Sequence, residues 1–324
     1  MIIKMQDEKP WYAELEFESF KEFLHWKIDQ VAINFDGFIF RGHSRGSYKL
    51  IPSALRKDKD TEFPLILKYH PTGCHSIMIA RNWENIIRSE YNLLTNFYKE
   101  ANKQGLTVPV NNYISNNYFM RYNNEYFDNL KTWYDKDMCA LASLAQHYKL
   151  PTQMLDWTFN IDVAFYFALE GIVKDLFLEK DIENTFNIWG VRAEYIIANY
   201  DDFDNECRCP IKFYVPNYIG NKHIKQQKGL LTYREIFDFQ SQQHSQYDEK
   251  PFDEIFLDYF EKIKTKRNIN GDGVQLFKMT FPTARAVDEF KMLSENGYNA
   301  ASIFSEYEGV IQKLKEDEWI KKLL

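Results

Sequence analysis

The clearest periodicity in the chain lies between residues 82 and 103, where Trp83, Ile86, Ile87, Glu90, Tyr91, Leu94, Phe97 and Tyr98 recur at three- and four-residue spacing. That spacing lines one face of a helix, and Gly105 supplies its stop. A shorter amphipathic helix is predicted over 17–29, with Phe17, Phe20, Phe23, Leu24 and Ile28 on one side. The Asp36-Gly37 turn signal then leads into a brief apolar strand that ends at Arg41-Gly42. "YKLIPSAL" reads as a second extended piece, because Pro52 biases Ile51 away from helix. Residues 107–136 are rich in Asn and Tyr without periodicity, and they predict a surface excursion or loose hairpin.

Further along, a helix from about Lys136 to Tyr148 precedes "LPTQMLDWTF", a short strand with Pro151 at its mouth. "NIDVAFYFALEGIV" follows as a helix capped by Asn160, apolar nearly all round and therefore buried. "NIWGVRAEYII" and "KGLLTYREIF" read as strands, separated by a loop bearing Cys, Pro and Asn. A polar loop, "SQQHSQYDEKP", leads to a helix near 252–265, the strand "VQLFKMTFP", and helices near 284–297 and 307–318. Helices and short strands alternate irregularly, which predicts an α+β fold rather than a regular parallel sheet. No internal repeat or long linker forces a boundary. Residues 1–240 are expected to form one domain, with 241–324 packed on it as a C-terminal segment.

Composition narrows the function classes. Of 324 residues, 45% are hydrophobic and 27% charged, which is globular usage. The net charge of −7 argues against broad, non-specific nucleic-acid binding, while leaving room for a local basic groove. No apolar stretch approaches eighteen residues, so no membrane span is expected. The N-terminus lacks the apolar core of a signal peptide. The 4 cysteines do not make a disulfide framework in a chain this long. Together these features predict a reduced, cytoplasmic protein. Cys207, Cys209 and His223 lack a fourth ligand at sensible spacing, and Cys74-His75 is remote in sequence, so no metal site is predicted.

Two stretches carry candidate chemistry. The first is "FIFRGHSRGSYKLIPSALRK", residues 38–57, where an acidic chain gathers Arg41, Arg45, Lys49, Arg56 and Lys57. A solvated basic loop is one reading. The other is that Arg41 closes a buried strand and is aimed at an anion. The second stretch, residues 144–169, crowds Gln146, His147, Thr152, Asp156, Trp157 and Thr158 at a helix–strand–helix junction. Polar groups packed beside an apolar helix must pair with each other or with a ligand. A self-satisfied network, with Asp156 as a cap and His147 as a hydrogen-bonded core residue, stands beside a ligand site as a reading.

"FRG" at 40–42, "LAQHYKLPTQMLDWTFNIDVAFYFAL" at 144–169 and "HIKQQKGLL" at 223–231 together resemble the FRG domain family. "AASIFSEYEGV" near 300–310 resembles that family's C-terminal segment. Lys149 stands where the family usually has Gly, and Gln153 where it usually has Arg, which removes one potential phosphate-binding cation. A more distant resemblance is to ADP-ribosyltransferases. It implies a small split mixed or antiparallel sheet core surrounded by helices, with NAD as substrate. By that likeness Arg41, Asp156 and Gln227 would be catalytic, Gln227 occupying the position of a catalytic glutamate on a strand at 226–231. Arg41, Gly42, Gln146, His147, Thr152, Trp157 and Thr158 would bind the cofactor. The missing negative charge would come from Asp156 or Glu235. ADP-ribose would pass to RNA, DNA or protein in a bacterial toxin or anti-phage effector, with a cognate antitoxin or chaperone as partner. A non-catalytic nucleotide sensor, and a metal-dependent hydrolase or nuclease built on His147, Asp156 and His43, are the alternatives.

Overall fold

The computed structural model describes residues 2–5, 9–29, 35–58, 60, 62–72, 81–109, 111–116, 133–199, 208–216, 227–236, 245–266, 273–304 and 306–324. Its centre is an eight-stranded sheet. In chain order the strands are β1 (Ile2–Met5), β2 (Tyr12–Glu16), β3 (Phe38–His43), β4 (Met154–Thr158), β5 (Thr185–Arg192), β6 (Ile211–Tyr214), β7 (Gly229–Arg234) and β8 (Leu276–Pro282). Across the sheet they run β1-β2-β8-β5-β3-β4-β7-β6. β2 and β8 pair in parallel, and the other neighbours are antiparallel. The longer helices are α1 (Phe20–Asp29), α2 (Trp83–Lys103), α3 (Lys136–His147), α4 (Ile161–Phe177), α5 (Phe252–Lys266), α6 (Ala286–Glu295) and α7 (Glu306–Leu323).

The protein is thus a mixed α/β fold with helices around a mixed sheet. The sheet is larger than the small core that the transferase resemblance implies, and it is continuous. Its thinnest seam lies between β3 and β4, which share the single residue pair Phe40↔Thr158. β8, from the C-terminal segment, lies between β2 and β5 inside the same sheet. No helix among the described residues is long and apolar enough to cross a membrane.

Side-chain alternation explains the layers. Phe38 and Phe40 join Phe186, Ile188, Phe277, Met279 and Phe281 in a core that includes Phe165, Leu169 and Phe290. Ile39, Leu155, Trp157, Trp189 and Leu276 belong to a second core with Phe256 and Phe260 of α5. A third core, under α2 and α3, takes in Met154 and Leu231. Each strand between two apolar layers needs alternate residues of both kinds, which erases the clean period-two signal.

Several elements differ from the sequence reading. β1 and β2 are absent from it, because "IIKMQDEKPWYAELEFE" is cut by charge and proline. In "NIWGVRAEYII" only the first half is strand, and Ala193–Ala198 form a helical turn. "YKLIPSAL" ends in a 3-10 turn at Ser53–Leu55. β6 lies in the stretch read as loop. Most of the 107–136 excursion lies outside the described residues, yet its flanks face inward: Ile114, Trp133 and Tyr134 are buried.

Candidate functional site

Near its end the strand β3 packs closely against α4. A Cβ on Gly42 would stand 2.0 Å from the Ala164 carbonyl oxygen of α4, so only glycine lets strand and helix approach this closely. Beside it, the Arg41 side chain spans the thin seam and donates from Nη1 to the Asp156 backbone oxygen at 2.6 Å. The guanidinium thereby links β3 to β4 beside their single residue pair. Its Nε donates to His43 Nε2 at 3.1 Å, and Nη1 lies 3.8 Å from Asp156 Oδ2. Nη2 has no hydrogen-bond partner among the described residues. The Arg41 side chain is 16% exposed. Burial, and the charge of Arg56, pull its pKa down to about 10 against the opposing pull of Asp156, so it stays cationic at neutral pH.

His43, behind Arg41, is buried, and its pKa lies well below the ordinary histidine value. Burial is the main cause, followed by the positive charges of Arg41 and Arg56. A neutral ring that accepts Arg41 Nε–H at Nε2 carries its proton on Nδ1. Other members of the basic stretch are tied to carboxylates outside the cavity. Arg45 pairs with Asp175, Lys49 with Asp253 and Lys57 with Glu249. Arg56 donates to the Ile51 backbone oxygen. The stretch therefore divides, and of its cations Arg41 lines the cavity described next.

That cavity, about 530 Å³, opens over the β3–β4 seam. Arg41, Gly42 and Asp156 lie on the sheet side, His147, Tyr148 and Lys149 at the end of α3, and Phe167 on α4. Phe40, Trp157, Thr158, Ala164, Gln227, Phe304 and Glu308 complete its lining. The volume falls within the range of small-molecule sites. Tyr148 and Phe167 are exposed large aromatics that line the same cavity as the guanidinium.

Asp156 reaches the cavity from β4 with 68% of its side chain exposed. Gln146 holds it by donating from Nε2 to Oδ1 at 2.5 Å. Thr152 in turn donates its hydroxyl to Gln146 Oε1. Gln146 and Thr152 thus stand behind Asp156 and fix its orientation, and neither lines the cavity. Thr158 donates to the Gln227 backbone oxygen at 2.7 Å and accepts from the Asn160 backbone N–H, so it fastens the turn into α4. The Trp157 indole packs in the core and donates to Thr232 Oγ1 at 2.8 Å.

The entry into β4 is set from below by Glu90 of α2. It accepts from Trp133 Nε1, the Tyr134 hydroxyl, and both the backbone and side-chain N–H groups of Gln153. Gln153 is therefore buried against Glu90, away from the cavity. An arginine there would meet Glu90, so its replacement takes no cation from the cleft.

Three placements refine the sequence reading. Gln227 precedes β7, which starts at Gly229, and stands in the turn rather than on the strand. Glu235 lies beyond that strand and pairs with Lys212 at 3.3 Å, outside the cavity. Glu308, not singled out from sequence, lines the cavity within the "AASIFSEYEGV" stretch. Its neighbour Gly309 is buried with no room for a Cβ, 2.4 Å from the Phe304 carbonyl oxygen, and this close approach seats the first turn of α7 beside the cleft. Among the described residues no group of three or more His, Cys, Asp or Glu could hold a metal ion. Cys207, His223, Cys74 and His75 lie outside them, and Cys209 is buried, its thiol pushed up to about 12 by burial.

Phe-Arg-Gly thus sits at a ligand-sized cleft, with Gly42 at a helix contact and Arg41 in the seam. Residues 36–175 match the FRG domain. The match supports the FRG family for this part of the chain, and it spans Arg41, Gln146, His147 and Asp156. Neither the curated proteins nor the solved structures yield a match to the chain.

Proposed function

We propose that the cleft binds NAD and transfers its ADP-ribose to a macromolecular acceptor. One observation carries the reading. The Arg41 guanidinium lies in the gap between β3 and β4, on the wall of an aromatic-bearing cavity that also presents two carboxylates. A guanidinium forks onto phosphate oxygens, and flat aromatic faces suit a nucleobase or nicotinamide ring.

In the proposed reaction the nicotinamide–ribose bond breaks and nicotinamide leaves with the electron pair. The ribosyl centre gains oxocarbenium character, the acceptor forms the new bond at that carbon, and the acceptor's proton is lost. Such a centre is stabilised by nearby negative charge, which neutral Gln227 does not supply. Asp156 and Glu308, both on the cavity wall though far apart in sequence, supply it. Gln227 contributes hydrogen bonds to a ribose hydroxyl or to the acceptor. The family resemblance extends the proposal to a bacterial toxin or defence effector with RNA, DNA or protein as acceptor, neutralised by a cognate partner.

The amide at Gln227 also favours a second reading, in which the cleft senses a nucleotide without turning it over. The nuclease alternative has less support, because His43 is held behind Arg41 rather than lining the cavity. Released nicotinamide, followed by chromatography with and without cell extract as acceptor, separates the first two. Slow release by wild type is expected, reduced about tenfold or more in Glu308→Gln and retained or raised in Gln227→Glu. Binding of NAD with no release in any arm supports the sensor and rejects the transferase.

A further inference from the structure

At the end of α3 the chain makes a Schellman turn. The Lys149 N–H donates to the Gln146 oxygen at 2.8 Å and the Leu150 N–H to the Ala145 oxygen at 3.1 Å. This turn places the residue after the cap in the left-handed region, where glycine is favoured. Lys149 occupies it with φ 67°. A β-carbon there is a standing cost to the fold, which glycine would remove. The side chain that bears this cost is exposed, cationic and on the cavity wall with Arg41. The acidic side chain it acts on is Glu170 of α4, whose pKa is raised by burial and eased down by Lys174 and Lys149.

We propose that Lys149 is a specificity-determining residue of the cleft, binding a second anionic group of the ligand so that Arg41 and Lys149 together hold a diphosphate. The inference rests on the nucleotide reading above and adds to it a ligand class, a dinucleotide or nucleoside diphosphate rather than a mononucleoside. A competing role needs no ligand: a cation past a helix C-terminus also complements the helix dipole. The two roles differ in what each substitution does. Lys149→Gly removes both charge and backbone strain, whereas Lys149→Gln removes the charge and keeps the strain.

Calorimetric titration with ADP-ribose and with adenosine, paired with thermal melts, tests the assignment. Both variants are expected to bind ADP-ribose more weakly, by roughly tenfold or more at low salt, as for loss of one charge-assisted contact, with adenosine binding unchanged. Lys149→Gly is also expected to melt about 1–2 °C higher than wild type, and Lys149→Gln at or slightly below it. ADP-ribose binding equal to wild type in both variants overturns the assignment while leaving the nucleotide reading intact. A lower melting temperature for Lys149→Gly also overturns it, by making the side chain structural. If wild type binds neither compound, the nucleotide reading falls, and the role of Lys149 falls with it.

Discussion

Glu90 and Asp156 are two carboxylates at the same short run of chain, residues 152–158: Glu90 holds it through Gln153, and Asp156 projects from it into the cavity. Glu90 is fully buried, and its two oxygens accept from four donors: Trp133, Tyr134 and the two N–H groups of Gln153. Asp156 leaves 68% of its side chain exposed, with Gln146 on one oxygen and the Arg41 guanidinium 3.8 Å from the other. The first arrangement is closed, and its acceptor capacity is spent inside the protein. The second is open, held in position from behind and facing a cavity. Acidic residues in one neighbourhood can therefore have opposite purposes, and the difference lies in the donors around them. Glu90 builds the platform from which β4 starts, and Asp156 is what the platform presents.

The largest expected effect follows from breaking the closed site. Glu90→Ala removes the acceptor of four buried donors, of which only the Gln153 backbone N–H keeps another, the Tyr134 hydroxyl at 3.3 Å, and we expect a loss of about 3 kcal/mol or more in urea unfolding. Glu90→Gln, which keeps one acceptor, is expected to lose less. A stability unchanged in Glu90→Ala would remove the distinction between the two carboxylates. Asp156→Asn should show the reverse pattern. Turnover, by the nicotinamide assay, is expected to fall about 100-fold while unfolding stability stays within about 0.5 kcal/mol of wild type. Full activity in that variant would make Asp156 a turn-former only.

A third carboxylate falls between them and sharpens the comparison. Glu316 of α7 is buried, accepts from the Tyr166 hydroxyl of α4 at 2.5 Å and from the Ala300 N–H at 3.1 Å, and its pKa is raised to about 7, chiefly by burial. The folded state therefore favours its protonated form. The contribution is fully present below the unfolded value of 4.5 and is lost as pH rises through about 7. Melts across this range should show α7 docking weaken with rising pH, by about 1–2 kcal/mol between pH 5 and 8. Glu316→Gln should flatten that slope. A wild-type slope of the opposite sign would contradict the assignment. Because Glu308 is carried on the same helix, loosening of α7 should also disturb the cleft wall.

Much of this was legible from residue order, and the reasons for the gaps are physical. The α2 face, with Glu90 among its apolar positions, and the Asn160 cap of α4 follow from local periodicity and capping, and both are present. The crowding of Gln146, Thr152 and Asp156 announced a polar network, but sequence could not rank its members. Only the hydrogen-bond chain shows that Thr152 and Gln146 stand behind Asp156. Trp157, named for the cofactor by resemblance, lines the cavity, while alternation along β4 turns its indole to the opposite layer, where Thr232 accepts from its N–H. Glu308 was hidden for another reason. It lies far from the other cleft residues in sequence, and an acidic residue in the first turn of a helix ordinarily reads as a partner for the helix dipole. The signal that could have found it was the likeness of its stretch to the family's C-terminal segment. Lys149 gave a signal, as a lysine in place of glycine, that only its φ of 67° turns into a statement about strain.

The central claim is that Arg41 is held in the β3–β4 seam to bind an anionic nucleotide, and titration of ADP-ribose into wild type, Arg41→Lys and Arg41→Ala tests it most directly. A charge-assisted contact contributes roughly 1.5–3 kcal/mol, so Arg41→Ala is expected to bind at least tenfold more weakly, with Arg41→Lys recovering part of the loss and the melting temperatures of all three proteins close together. Equal affinity in all three proteins, or an Arg41→Ala variant that does not fold, would contradict the claim and make Arg41 a brace between the two strands.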